Sequence, residues 1–179
     1  MKTLTLLRHA KSGWDDPVSR DFDRPLNAKG GRAAAAMGRH LRGLGVGFDH
    51  LVASPAVRVE ETLDHFGEGF GRLPAPVRDR QLYLASAATL LDVIHGLPPS
   101  AERVLLVGHN PGIEDLALML AGDGSDPAAI DALATKFPTA SVAEIALGDA
   151  WADAAAGTGH LLRFTRPRDL DPAFGPDVA

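Results

Sequence analysis

The chain has 179 residues, of which 45% are hydrophobic and 23% are charged, a balance that predicts one globular domain with a sizeable core. The formal net charge of −5 argues against nucleic acid as the main partner, because proteins that bind a phosphate backbone usually carry a basic patch. The sequence contains no cysteine, which excludes disulfides, thiolate metal ligands and cysteine nucleophiles.

The hydropathy pattern contains no apolar stretch as long as a membrane helix. The apolar segment before Arg8 is also too short for a secretory signal. We therefore expect a cytoplasmic protein that has no membrane partner.

The apolar pattern predicts strands that alternate with helices along the chain. Short apolar runs predict strands at residues 3–7, 49–53, 103–107, 141–147 and 160–165. Amphipathic or alanine-rich segments predict helices at residues 28–44, from Ser54 onward, at 87–95 and at 112–120. Residues 67–76 read as a loop, and the tail from Pro167 is expected to be irregular. This order predicts a single α/β domain over residues 1–179, with a mostly parallel sheet covered by helices on both faces in a three-layer α/β/α sandwich.

Two details of the pattern bear on local structure. Ser54-Pro55 predicts a helix start, with the serine at the N-cap and the proline at the first helical position. The polar stretch from Lys11 to Pro25 is longer than an ordinary connection, and loops of that length are usually functional or disordered.

Three predicted strands end beside residues that suit one chemistry. The first is followed by Arg8-His9, the second leads through Ser54-Pro55 to Arg58, and the clearest buried strand ends in Gly108-His109. In open α/β sheets, ligands bind outside the carboxyl ends of the strands, so these side chains could converge on one pocket. A lone histidine is usually structural, and an arginine in the first turns of a helix usually faces solvent. Their joint occurrence at strand ends favours a site.

The chemistry gives this set a use. A neutral imidazole is a competent nucleophile, and guanidinium groups match the oxygens of a phosphoryl group. A second histidine can donate a hydrogen bond to the same oxygens.

The same residues resemble the motifs of the histidine phosphatase superfamily of phosphoglycerate-mutase-like enzymes. The Arg-His-Gly motif after strand one is matched by Arg8-His9-Ala10, and a Ser-x-x-x-Arg-x-x-x-Thr block runs from Ser54 to Thr62. The third motif, a histidine after an apolar strand, is matched by Val104 to Gly112. The detail resembles the small SixA-like branch of phosphohistidine phosphatases, in the segments 23–30, 82–83 and 107–112. The resemblance extends over roughly residues 3 to 122.

The resemblance implies a phosphoglycerate-mutase-like fold and a hydrolase that works without a metal or an organic cofactor. It implies that His9 is the nucleophile, that Arg8 and Arg58 bind the phosphoryl oxygens, and that His109 donates to them. Arg24 and Ser12 are implied to support the phosphate. The implied partner is a phosphorylated substrate, in this branch a histidine-phosphorylated protein.

Three positions depart from the family pattern. Ala10 replaces the motif glycine, and Asp15 stands near the place where mutase-type members carry a phosphate-contacting asparagine. Gln81 falls about where many members have a glutamic acid that acts as general acid, and an amide cannot supply a titratable proton. Asp79 is shifted by two residues from that position, and Asp15, Asp16 and Asp79 remain other possible proton donors.

Several alternatives differ in the class of function. A metallophosphatase would need closely spaced histidine and aspartate ligands, which the sequence lacks. Asp21-Phe22-Asp23 resembles an aspartate-nucleophile pattern but lies in a loop. The remaining rivals are a small-molecule phosphomonoesterase of the same superfamily and a noncatalytic module that binds phosphoproteins. The His9 and His109 pair argues against the noncatalytic module, because binding alone needs no nucleophile.

Overall fold

A six-stranded sheet forms the centre of the protein in the computed structural model, which describes residues 1–13 and 20–175. The strand order is β3-β2-β4-β1-β5-β6. The pairs β1–β4, β4–β2 and β2–β3 are parallel, whereas β5 runs antiparallel to both β1 and β6. The strands are β1 (Lys2–Arg8), β2 (His50–Ala53), β3 (Val77–Arg78), β4 (Arg103–Gly108), β5 (Val142–Leu147) and β6 (His160–Thr165).

Helices cover both faces of the sheet and make the three layers that the sequence predicts. The described residues form α1 (Ala28–Gly43), α2 (Val57–Phe70), α3 (Ala87–His95), α4 (Gly112–Leu120), α5 (Pro127–Thr135) and α6 (Pro167–Leu170). Successive side chains of a strand point to opposite faces, so Leu6 and Leu7 of β1 enter different cores. Leu6 packs with Leu116 of α4 and other side chains of α3 to α5. Leu7 packs with Met37 of α1 and Phe66 of α2.

Glycines allow α1 and α2 to pack with their backbones in close contact. A Cβ atom on Gly38 would lie 2.2 Å from the carbonyl oxygen of Phe66, and one on Gly69 would lie 2.0 Å from the carbonyl oxygen of Ala35. No larger residue fits at either position without moving a helix. This contact fixes α2, which carries Arg58, relative to α1.

The structure differs from the predicted elements in several places. The segment 67–76, predicted as a loop, is helical as far as Phe70, where α2 ends, and the two-residue strand β3 follows the segment. The helix α5 was not predicted at all. The tail is not irregular throughout, because α6 and a 3₁₀ turn at Pro172–Phe174 lie in it. Side chains of this tail, Leu170 and Phe174, pack against the core between the sheet and α1–α2. Apolar burial therefore orders the tail, which composition alone did not indicate.

None of the helices in the described residues combines the length and the apolar composition that crossing a membrane requires.

Candidate active site

Two histidines directly follow neighbouring strands of the sheet. β1 and β4 are parallel neighbours in which Arg8 is paired with Gly108, so His9 and His109 follow at the same edge. Their ring centroids lie 5.3 Å apart. Both side chains are buried, with exposed fractions of 7% for His9 and 2% for His109. The structure thus brings together the two histidines that the sequence places at strand ends.

The His9 ring is held by the backbone of the next residue. Its Nδ1 lies 2.8 Å from the carbonyl oxygen of Ala10. A carbonyl only accepts, so Nδ1 carries the hydrogen and the lone pair lies on Nε2. Burial lowers the pKa of His9 to about 3, and the positive charges of Arg8 and Arg58 act in the same direction. The ring is therefore neutral near pH 7, in the form that can attack phosphorus.

The loop that carries His9 is tied to α2 by a buried threonine. The backbone N–H of Ala10 donates to Oγ1 of Thr62 at 2.9 Å. The Thr62 hydroxyl in turn donates to the carbonyl oxygen of Arg58 at 2.6 Å. Ala10 and Thr62 are both fully buried. The threonine of the Ser-x-x-x-Arg-x-x-x-Thr block therefore links the histidine loop to the helix turn that carries the arginine.

Ser54 positions the second histidine instead of capping a helix. The helix α2 begins at Val57 with Ala56 at its N-cap, so the predicted start at Ser54 was wrong. Ser54 Oγ lies 2.8 Å from Nε2 of His109 and accepts the N–H of Ala56 at 3.3 Å. The hydroxyl can donate its hydrogen to Nε2 while it accepts from Ala56, and on this basis we assign the ring hydrogen of His109 to Nδ1.

The other nitrogen of His109 is the one that a ligand could use. Nδ1 is buried and has no hydrogen-bond partner among the described residues. Burial, together with the positive charge of Arg58, lowers the pKa of His109 to about 4. A buried N–H without a hydrogen-bond partner costs free energy. A phosphoryl oxygen that accepted a hydrogen bond from this N–H would therefore be bound favourably.

One half-buried and one buried arginine lie beside the histidines. Arg8 donates through Nη1 to the carbonyl oxygen of Phe137 at 2.8 Å. Arg58, with 2% of its side chain exposed, donates to the carbonyl oxygen of Asp21 at 2.8 Å and to its Oδ2 at 3.0 Å. The Nε atoms of both arginines are buried and lack a hydrogen-bond partner within the described residues. Each guanidinium has five N–H donors, so both retain donors for a phosphoryl group.

An aspartate and a tyrosine that the sequence did not assign to the site complete its polar contacts. The Tyr83 hydroxyl donates to Asp21 Oδ2 at 2.6 Å, and the same carboxylate accepts from Arg58. The Tyr83 ring stands edge-on to the His109 ring, with centroids 5.3 Å apart. The bond from Tyr83 lowers the pKa of Asp21 to about 2, with Arg24 and Arg58 contributing, so Asp21 is ionised at neutral pH.

Arg24 and Ser12 lie in the same group of contacts. Arg24 donates to the Ser12 hydroxyl, and its Nη2 lies 3.0 Å from Oδ1 of Asp21. Ser12 is buried, with 8% of its side chain exposed. The positive charge of Arg24 also lowers the pKa of His109, but by less than burial and the charge of Arg58 do. Arg24 therefore lies within electrostatic range of the buried histidines, and its role toward phosphate stays a prediction.

The position expected for a general acid holds no acid. Gln81 lies in a 3₁₀ turn with an exposed side chain. The carboxylate of Asp79 accepts the backbone N–H of Gln81 at 2.9 Å and caps that turn. The other two aspartates considered as proton donors, Asp15 and Asp16, lie outside the described residues.

Across residues 1–13 and 20–175, no group of three or more histidine, aspartate or glutamate side chains could hold a metal ion.

Similarity to known proteins identifies the family of this chain. The model of the histidine phosphatase superfamily (branch 1) matches residues 4–82. One solved structure, from Nakamurella multipartitia, is named as a candidate phosphohistidine phosphatase SixA. Its sequence is 33% identical to this chain, the match covers 93% of this chain and 96% of the Nakamurella chain, and the TM-score is 0.80. This chain belongs to the histidine phosphatase superfamily.

The similarity to solved SixA structures places the chain in the SixA-like branch of that superfamily. A candidate SixA from Agrobacterium tumefaciens is 28% identical, covers 93% of this chain and 98% of its own, and has a TM-score of 0.77. A protein of Mycobacterium tuberculosis (strain CDC 1551) is 35% identical over 164 residues, which is 90% of this chain and 100% of that protein. The fold is accordingly the phosphoglycerate-mutase-like fold that the motifs implied.

Proposed function

We propose that this histidine phosphatase hydrolyses phosphohistidine in proteins through a phosphorylated His9. Nε2 of His9 attacks phosphorus, the P–N bond of the substrate breaks, and the departing imidazole takes a proton from solvent. Water then attacks the phosphorus of phosphorylated His9 and loses a proton to solvent. The bond between phosphorus and Nε2 breaks, inorganic phosphate leaves, and the imidazole of His9 is again neutral.

The observation that carries this proposal is the state of the His9 ring. Its Nδ1–H is held by the carbonyl oxygen of Ala10, which orients the ring and leaves Nε2 unprotonated. Burial keeps the ring neutral at neutral pH. The neighbouring arginines and the unpaired Nδ1–H of His109 are suited to stabilise the charge on the phosphoryl oxygens in the transition state.

Neither the carboxylate in contact with Arg58 nor the side chain at the position expected for a general acid supplies a proton, which supports a nitrogen leaving group. Asp21 is in contact with Arg58, and a pKa of about 2 leaves it without a proton to give. Gln81 is an amide, and Asp79 uses its carboxylate to cap the turn that contains Gln81. An alkoxide leaving group benefits from a general acid by roughly 10²–10⁴ in rate, whereas imidazole departs far more readily.

Hydrolysis of three substrate classes tests this choice. We expect kcat/KM to be highest for a phosphohistidine peptide, intermediate for an aryl phosphate and lowest for an alkyl phosphate. Gln81→Glu should raise alkyl-phosphate hydrolysis more than phosphohistidine hydrolysis. Equal values for phosphohistidine and alkyl phosphate would instead favour a small-molecule phosphomonoesterase. Wild-type protein that binds phosphohistidine but turns over none of the three would favour a noncatalytic binding module.

A further inference from the structure

A cavity with a strongly basic wall opens next to the proposed phosphoryl site. Its volume is about 270 Å³, and the described residues that line it include no aspartate or glutamate. The chain as a whole carries a net charge of −5, so this concentration of positive charge is local. The described lining includes six cationic side chains: Arg8, Lys11, Lys29, Lys136, Arg166 and Arg168.

Four separate segments meet to form this cavity. Arg8 and Lys11 flank the His9 loop, Lys29 and Gly30 belong to the first turn of α1, and the other two segments are residues 136–139 and 166–175. A Cβ atom on Gly30 would lie 2.2 Å from the carbonyl oxygen of Lys11, so glycine is needed for α1 to approach the loop. The cavity therefore borders the positive end of the α1 dipole as well as the cationic side chains.

A carboxylate pairs with one of these cations, whereas at least one side-chain donor of three others, Lys136, Arg168 and Arg8, has no hydrogen-bond partner among the described residues. Arg166 pairs with Asp169, with Nη2 and Oδ1 2.8 Å apart. The side-chain ammonium group of Lys136 has no hydrogen bond or salt bridge within residues 1–13 and 20–175, although its backbone N–H donates to the carbonyl oxygen of Ala132. The Nε atom of Arg168 is buried there without a hydrogen-bond partner, as is that of Arg8. Unpaired donors and excess positive charge in a concave site are the features that bind an anion.

Arg8 belongs both to this cavity and to the group around His9. An anion in the cavity and a phosphoryl group at His9 would therefore contact the same guanidinium. We propose that the cavity is a second anion subsite, which takes a carboxylate or phosphoryl group that the substrate carries beside the scissile phosphoryl group. This inference rests on the proposed function, since it names a further feature of the same substrate. A cavity of about 270 Å³ has room for an acidic side chain or a phosphoryl group of the substrate.

Matched substrates test the subsite. One pair consists of phosphohistidine peptides with either glutamate or glutamine at the flanking positions, and a second pair is a short alkanediol bisphosphate and its monophosphate. One added charge-assisted hydrogen bond is expected to raise kcat/KM by about tenfold. We expect the wild type to prefer the more anionic member of at least one pair by about that factor. The pair that shows the preference identifies an acidic peptide or a small bisphosphate as the source of the anion.

Variants show whether the preference comes from the cavity. Lys136→Ala and Arg168→Ala should bring the ratio within each discriminating pair close to 1. Arg32→Ala is the matched control, because Arg32 is an exposed arginine of α1 that does not line the cavity. It should keep the wild-type ratio. Equal hydrolysis of both members of each pair by the wild type, or an unchanged ratio in both cavity variants, would overturn the subsite.

A binding measurement separates failure of the subsite from failure of the proposed function. If the wild type hydrolyses no member of either pair, the proposed phosphatase function fails, and calorimetric titration with inorganic phosphate still tests the cavity. Two phosphate sites in the wild type, with one lost in a Lys136→Ala/Arg168→Ala double variant and both kept in Arg32→Ala, would support it. A single site that the double variant leaves intact would refute it.

Discussion

Replacing Ser54 by alanine tests how the protein sets the proton position of His109. Ser54 Oγ and His109 Nε2 are 2.8 Å apart, and both side chains are buried, with exposed fractions of 0% and 2%. In Ser54→Ala, Nε2 loses its partner, and the ring is no longer biased toward the form with hydrogen on Nδ1. The phosphoryl group then loses a prepositioned donor.

The size of the effect follows from the strength of one buried hydrogen bond. Losing the bond leaves a buried polar atom unpaired, which costs about 1–3 kcal/mol. About 1.4 kcal/mol corresponds to tenfold in rate, so we expect kcat/KM to fall by roughly ten- to a hundredfold. Complete removal of a transition-state donor costs about 10²–10³, and loss of its orientation alone should cost no more than that.

Two measurements separate positioning from general destabilisation. Nitrogen-15 NMR of the His109 ring should show hydrogen on Nδ1 in the wild type and a mixture of tautomers in Ser54→Ala. Ser86→Ala is the matched control, because Ser86 caps α3 by accepting the N–H of Thr89 at 3.2 Å. Loss of that cap should cost about 1 kcal/mol of stability without a fall in kcat/KM. Hydrogen on Nε2 in the wild type, or a Ser54→Ala rate equal to that of Ser86→Ala, would refute the reasoning.

Two further predictions concern the buried groups of the site. Thr62→Val leaves the N–H of Ala10 and the carbonyl oxygen of Arg58 without their shared partner. Chemical denaturation should therefore show a free energy of unfolding that is lower by about 1–3 kcal/mol. An unchanged denaturation midpoint would contradict this prediction. His9 and His109 have pKa values of about 3 and 4 in the fold, below the ordinary value of 6.5, so the unfolded chain binds more protons as the pH falls below 6.5. Unfolding free energy should therefore fall toward pH 4 by about 1.4 kcal/mol per pH unit for each histidine, and His9→Asn should remove one such contribution. The exposed His160 gives the control His160→Asn, and the same pH slope in His9→Asn and wild type would count against a neutral, buried His9.

The sequence predicted the parts of the site that depend on strand ends. Apolar runs before Arg8-His9 and Gly108-His109 predicted buried strands, and parallel pairing of those strands places both histidines at one edge. The carboxyl ends of two parallel strands lie at the same edge of a sheet. The pairing of the strands alone therefore predicts that the two histidine rings lie near each other.

Contacts between distant loops could not be predicted in the same way. Tyr83 reaches Asp21 across 62 positions of the sequence, and Ser54 reaches His109 across 55. No local pattern marks such pairs, and the local pattern at Ser54 indicated a helix cap. The helix α5 is different, because Asp126-Pro127 carries a cap signal that sequence reading could have used.

Brief reaction with a substrate carrying a ³²P-labelled phosphoryl group, followed by rapid quench, is the most direct test of covalent catalysis by His9. The account predicts an acid-labile, base-stable label on His9 that forms and decays at rates consistent with turnover. The label should be absent from His9→Ala. Label on another residue, or no label on His9 while turnover continues, would contradict the account.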